Sequence, residues 1–132
     1  MNLAEVVHES ASLLFADILS FDEDKSWALT LKLDHDRTQG VWITRAELGK
    51  HTVWVQVESR SGSAEGLDSA ELLRRAAGLS FARPVVLPDG GLSVRGYLPL
   101  AGLDYRHLAA VVVEVGQLAD DLEEELHHQD ML

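Results

Sequence analysis

The chain of 132 residues contains no cysteine. That excludes a disulfide framework and any thiolate-ligated metal. It holds no apolar run of about 18 residues, so no segment reads as a membrane span. Its opening, Met1-Asn2-Leu3-Ala4-Glu5, lacks the basic start of a secretory signal. A cytoplasmic address is the expectation. Catalytic signatures are missing too: there is no P-loop, no G-x-G-x-x-G and no G-x-S-x-G elbow. In Gly62-Ser63-Ala64-Glu65-Gly66 the serine stands one place too early.

Lysine and arginine are absent from both ends of the chain. Residues 1–24 carry six acids and residues 107–132 carry seven, with no Lys or Arg in either stretch. The middle is nearly balanced, and the net charge is −11. Direct nucleic-acid binding is disfavoured, because phosphate contacts need clustered cations. An acidic surface suits a solvated face or a basic partner protein.

What is present is amphipathic patterning over one domain, residues 1–132. The longest pattern runs from Tyr105 to Leu126. Leu108, Val111, Val112, Val115, Leu118, Ala119, Leu122 and Leu126 recur with helical spacing behind an Asp104 cap. Ala109, Val113 and Gly116 form a small-residue strip beside that stripe, a candidate subunit contact. Asn2-x-x-Glu5 opens a first helix read through Ile18, with Asp22-Glu23-Asp24-Lys25 ending it. Leu13, Phe15 and Leu19 widen its apolar arc beyond one core contact. Three strands follow: Trp27–Leu33, Val41–Arg45 and His51–Glu58. A hairpin centred on Leu48 pairs Trp42 with Trp54 on the face opposite Val41, Ile43, Val53, Val55 and Val57. After a loop at 60–66, Asp68-x-x-Glu71 caps a second helix. Strand Phe81–Leu87 contains Pro84, which marks an edge or a bulge. A turn at Asp89-Gly90 pairs Leu87 with Leu92.

Two constellations carry a chemical reading. Asp34-x-Asp36-x-Thr38 after a hydrophobic strand resembles the nucleophile loop of haloacid-dehalogenase-type phosphatases, which makes a small phosphohydrolase the alternative function. That fold needs a larger parallel sheet, and the hairpins here favour an ordinary turn. The same loop fails as an EF-hand, since Gly40 falls one place late and Arg45 stands where a bidentate Glu belongs. His127-His128 beside Glu123, Glu124 and Glu125 has metal-binding residue types, but adjacent histidines on a helix do not point to one site. No cofactor is expected.

The stretch Asp89-Gly90-Gly91-Leu92-Ser93-Val94-Arg95-Gly96-Tyr97-Leu98-Pro99-Leu100 runs through Leu103 into an acidic helix closing on Leu118-Ala119-Asp120-Asp121-Leu122. This resembles the YbjN-like family, which shares the fold of type III secretion chaperones of the Tir-chaperone kind. The resemblance implies an α+β domain in the order α-β-β-β-α-β-β-α, an antiparallel twisted sheet with helices packed on it. It also implies a homodimer that acts by protein binding, linked to bacterial stress responses, with no catalytic residue to carry over. The expected reading is a non-enzymatic, chaperone-like domain whose client is a basic, nucleic-acid-binding protein. Trp42, Trp54, Phe15 and Leu19 are the candidate partner contacts. Pro84, Ala109, Val113 and Gly116 are the candidate dimer contacts.

Overall fold

The computed structural model describes residues 2–23, 25–49 and 52–130, with side chains as far as Glu125. The chain runs α1 (Leu3–Leu13), β1 (Asp17–Phe21), β2 (Ser26–Lys32), a 3-10 turn (Asp34–Asp36), β3 (Thr38–Glu47) and β4 (Val53–Ser63). It continues with α2 (Ser69–Ala76), β5 (Arg83–Val86), β6 (Gly91–Pro99) and α3 (Tyr105–Asp130). The six strands form one antiparallel sheet in the order β1-β2-β3-β4-β6-β5. The α+β architecture is as expected, with one strand more at the N-terminal side.

That extra strand is β1, and it replaces the second half of the expected first helix. Asn2 caps α1 as read, its side chain accepting from the Glu5 amide at 2.9 Å. The helix then stops at Leu13. The Ala16 amide donates back to the Ala11 carbonyl at 2.9 Å and the Phe15 amide to Ser12 at 3.2 Å. This is a Schellman stop, which needs a left-handed residue just beyond the helix. Phe15 takes that place at φ 53. Glycine is the usual occupant, so no sequence signal marked the stop. Phe15 and Leu19 therefore lie outside any helix, and the wide helical arc attributed to them does not exist.

α3 covers one face of the sheet. Leu108, Val111, Val112, Val115, Leu118, Ala119 and Leu122 are buried against Val41, Ile43, Val55, Val57, Val94 and Leu98. Each larger apolar side chain so buried contributes about 1.5–3 kcal/mol, which overrides the strand preference of Val111-Val112-Val113. Two glycines permit the close approach. A Cβ on Gly96 of β6 would sit 3.1 Å from Val111 Cγ1, and one on Gly116 of α3 would sit 2.6 Å from Leu31 Cδ2. Gly116 is thus consumed within the subunit, as is Ala109, which is only 3% exposed. Neither presents itself to a second copy.

Most buried polar groups on the helix-bearing side are paired, whereas Trp27 Nε1 has no hydrogen-bond partner among the described residues. Gln39 donates to Ser59 Oγ at 2.9 Å, Ser59 to the Gly40 carbonyl at 2.6 Å and Ser61 to the Ala119 carbonyl at 2.9 Å. Arg37 fastens the β2–β3 turn to α3, with its Nη2 2.7 Å from Asp120 and its Nη1 2.6 Å from Glu124. The hydrogen bond to Asp120, followed by the neighbouring carboxylates, holds this guanidinium above its ordinary pKa.

Two registers differ from expectation. The β3–β4 hairpin pairs Trp42 with Glu58, Ile43 with Val57 and Ala46 with Trp54. β3 runs on to Glu47 while β4 begins only at Val53, so the hairpin is centred two residues later than Leu48, and Leu48 donates to the Thr52 carbonyl at 3.3 Å. The slip is even-numbered, so the valine face stays inward, but the Trp42–Trp54 cross-strand pair is not formed. His51, expected to open β4, lies outside the described residues. At the second hairpin Val86 pairs with Leu92 and Pro84 with Val94. Leu87 donates to the Gly91 carbonyl at 2.8 Å, and Gly90 sits at φ 84. A three-residue loop therefore stands where a two-residue turn was expected.

Candidate partner-binding surface

Residues pointing away from the helices alternate with the core residues along the same strands. On this helix-free side the registers line up Leu19, Ala28, Trp42, Glu58 and Arg95 across five strands. The row divides chemically. Toward β6 it is polar and internally satisfied: Arg95 is ion-paired to Glu58, and Tyr97 donates to Gln56 Oε1 at 3.0 Å. The hydrogen bond to Glu58 is the main cause of Arg95 lying above its ordinary pKa.

Toward β1 the row is apolar and open. Leu19 is 65% exposed, Phe21 41% and Trp42 43%. The Phe21 and Trp42 rings meet at 5.3 Å between centroids and 39° between planes. Phe15, just before β1, is 82% exposed and held outward by its left-handed backbone. Positive φ in a bulky residue costs free energy and persists only where the surroundings impose it. Asp17, Asp22 and Glu23 fringe the patch and are all exposed.

β1 is also the end strand of the sheet order among the described residues, paired there with β2. Proteins blunt such edges with proline, lysine or bulges. The run Asp17-Ile18-Leu19-Ser20-Phe21 has none of these. The opposite edge, β5, carries Pro84 and Arg83.

Two of the four expected partner residues, Leu19 and Trp42, fall on this side of the sheet, and Phe15 stands exposed just before β1. Trp54 faces the same way but lies further along it, half-buried opposite Ala46 and Pro99. Phe21 is a member that sequence reasoning missed, because it fell between the apolar residues assigned to the first helix and the Asp22–Lys25 stretch taken as that helix's end. Among the expected dimer residues, Pro84 is half-buried on the β5 edge and Val113 is 39% exposed on α3. Leu73 of α2 and Val86 of β5 are the larger exposed apolar side chains in the C-terminal half, at 66% and 60%.

The Asp34–Asp36 turn joins adjacent antiparallel strands, with His35 and Asp36 left-handed at φ 63 and 59. The parallel sheet on which the phosphatase loop sits is absent among the described residues. The side chains of His127 and His128 lie outside the described residues.

No protein-family model and no curated protein matches the chain, so the YbjN-like assignment gains no support there. Solved structures do match. The Yersinia pestis type III secretion chaperone SycH, in complex with a stable fragment of YscM2, aligns over 90% of this chain and 98% of its own at TM-score 0.60 and 15% identity. A chain of the HopA1–SchA chaperone–effector complex aligns over 91% of each at 0.62 and 10%. A chain of the ExsC–ExsE complex aligns over 94% and 96% at 0.61 and 16%. At these identities the likeness shows architecture: the chain has the fold of the type III secretion chaperones.

Proposed function

We propose that the protein is a non-enzymatic, chaperone-like domain that binds a client polypeptide along β1 and the Leu19–Phe21–Trp42 patch. The observation carrying this reading is an open apolar patch beside an unprotected strand edge, in a fold whose solved relatives were captured with partner proteins. A segment added to the edge gains main-chain hydrogen bonds, and alternate side chains meet the patch. Trp42 and Phe21 act as anchors, since large aromatic side chains dominate interface energetics at low entropic cost. Phe15 lies at the patch's end, presented before the client arrives. Trp54 extends the same face.

The client chemistry follows from charge. Asp17, Asp22 and Glu23 border the patch, and the protein carries −11 overall. A client segment with apolar residues at every second position and basic residues around them fits this border, which favours a basic, nucleic-acid-binding protein as client. Electrostatics would govern the association rate and apolar contact the dissociation rate. A stress-response role accords with the YbjN-like resemblance. A chain without cysteine suits the cytoplasm, where disulfides are rare.

The working form in this reading is a homodimer. Leu73, Val86, Pro84 and Val113 supply its apolar contact on the side of the molecule away from β1. Light scattering after size exclusion is expected to return about twice 14.5 kDa at micromolar concentration; a monomer throughout that range removes the dimer and leaves the client surface standing.

The test of client binding is affinity capture from the native cell with wild-type and Trp42→Ala protein in parallel, read by mass spectrometry and followed by calorimetry on the candidate. A client retained equally by both proteins contradicts the reading.

A further inference from the structure

α2 reaches the sheet edge through a short corner, residues 77–82, which leads into β5. Three consecutive backbone amides of this corner converge on one carboxylate. Ser80 donates to Glu114 Oε1 at 2.7 Å, and Phe81 and Ala82 donate to Glu114 Oε2 at 2.7 and 2.9 Å. Glu114 stands in the middle of α3, the most firmly buried helix of the fold. The corner has little other anchorage on its amide side. Successive amides pointing the same way form an anion-receiving concavity, and here a side chain of the same protein fills it.

We propose that Glu114 is an acid-sensitive latch: its carboxylate fixes the α2–β5 corner to α3, and protonation releases that corner and the β5 edge while leaving the β1 side in place.

The chemistry of the contact sets its direction. A carboxylate accepts three amide hydrogen bonds, and a carboxylic acid must turn one oxygen into a donor facing an N–H. Burial pushes the Glu114 carboxyl up, but the hydrogen bonds from Ser80, Ala82 and Phe81, together with the charge of Arg83, outweigh it and hold the group below its ordinary pKa. A depressed carboxylate contributes stability above its unfolded-state pKa and loses that contribution as pH falls through the folded value. The latch is therefore shut near neutrality and opens in acid. Other charged groups around the corner are few. Arg83 donates to the Leu79 and Ala82 carbonyls at 3.1 and 2.7 Å. Arg95, its cross-strand neighbour, is taken by Glu58. His107, earlier on α3, packs edge-on against Phe81 at 5.1 Å.

Release would be local because the corner and β5 sit at one end of the sheet order. The surface carrying Leu73 and Val86 would loosen with it, whereas β1 to β4 keep their pairing beneath α1 and α3.

Amide hydrogen exchange followed by NMR near neutral pH tests this on wild type and Glu114→Gln. Exchange at Ser80, Phe81 and Ala82 is expected to speed up by about tenfold or more, with β5 following and β2–β3 pairs unchanged. Unchanged rates at the three amides overturn the proposal, and so does uniform acceleration throughout the sheet. If Glu114→Gln does not fold, an acid titration of the wild type decides. The three amide resonances should then move together at one midpoint below the ordinary carboxylate value of about 4.3, before the β2–β3 resonances change. Three amides that stay fixed until the whole sheet unfolds overturn it equally.

Discussion

The two faces of this sheet are written by the same strands and have opposite fates. Along β3, Val41 and Ile43 are fully buried under α3, while Trp42 between them is 43% exposed. On the helix-bearing face the large apolar residues beneath α1 and α3 pack within the chain, and among the described residues Trp27 Nε1 is the one buried side-chain polar atom without a hydrogen-bond partner. On the other face, only the β4–β6 half closes on itself, through Glu58–Arg95 and Gln56–Tyr97. In the β1–β3 half Leu19, Phe21 and Trp42 stay exposed, with no covering helix among the described residues. Apolar side chains alone do not distinguish the two; the presence of a covering element does. Contiguous exposed apolar patches commonly mark interaction sites.

This contrast gives substitutions with separable effects. The largest is expected on the closed face. Leu108→Ala removes a fully buried side chain of α3 and should cost about 2–5 kcal/mol of stability, read by denaturant unfolding; a loss under about 1 kcal/mol would mean the helix is not seated as described. On the open face Trp42→Ala should do the reverse. Client affinity is expected to fall by more than about 2 kcal/mol, while the melting temperature moves little, because Trp42 is 43% exposed and its ring partner among the described residues is Phe21. A lowered melting temperature with unchanged affinity would return Trp42 to a purely stabilising role and erase the contrast.

Smaller effects sharpen it further. Arg37→Ala unties the β2–β3 turn from Asp120 and Glu124. A stability loss of about 1 kcal/mol or less is expected for a partly exposed ion pair, with client binding unaffected, since this turn belongs to the helix-bearing side. Unfolding curves at low and high salt check it, and a salt-independent loss would show packing rather than charge at work. Asp36→Asn is expected to change neither stability, beyond about 0.5 kcal/mol, nor binding. Magnesium-dependent phosphatase turnover that disappears with this substitution would overturn the non-enzymatic reading.

The closed face was legible in the sequence and the open edge was not. Helical spacing located α3 from Tyr105 onward, and alternation put Val41, Ile43, Val55 and Val57 on one side, even with the hairpin register wrong by an even number. Those signals are strong because burial selects for them at every turn of helix and every second strand residue. β1 was hidden for two reasons. Its helix stop uses Phe15 where glycine is customary, so the boundary carried no punctuation. Its side chains also fail to alternate, because Leu19 and Phe21 face outward beside the inward Ile18, and an apolar run of this kind fits helix and strand equally. The site lay partly in that blind stretch. Trp42 and Leu19 were singled out by their size and apolarity and prove exposed, Phe21 was passed over, and the Trp42–Trp54 pairing was an artefact of placing the turn two residues early.

The central claim, that the open β1–β3 patch is where the partner sits, is met most directly by site-specific photocrosslinking in the native cell. A photoreactive phenylalanine analogue placed at Phe21 should capture one discrete protein. The same analogue at Gln117, exposed on α3, should capture little of it. Capture of that protein equally from both positions, or from Gln117 alone, would contradict the account.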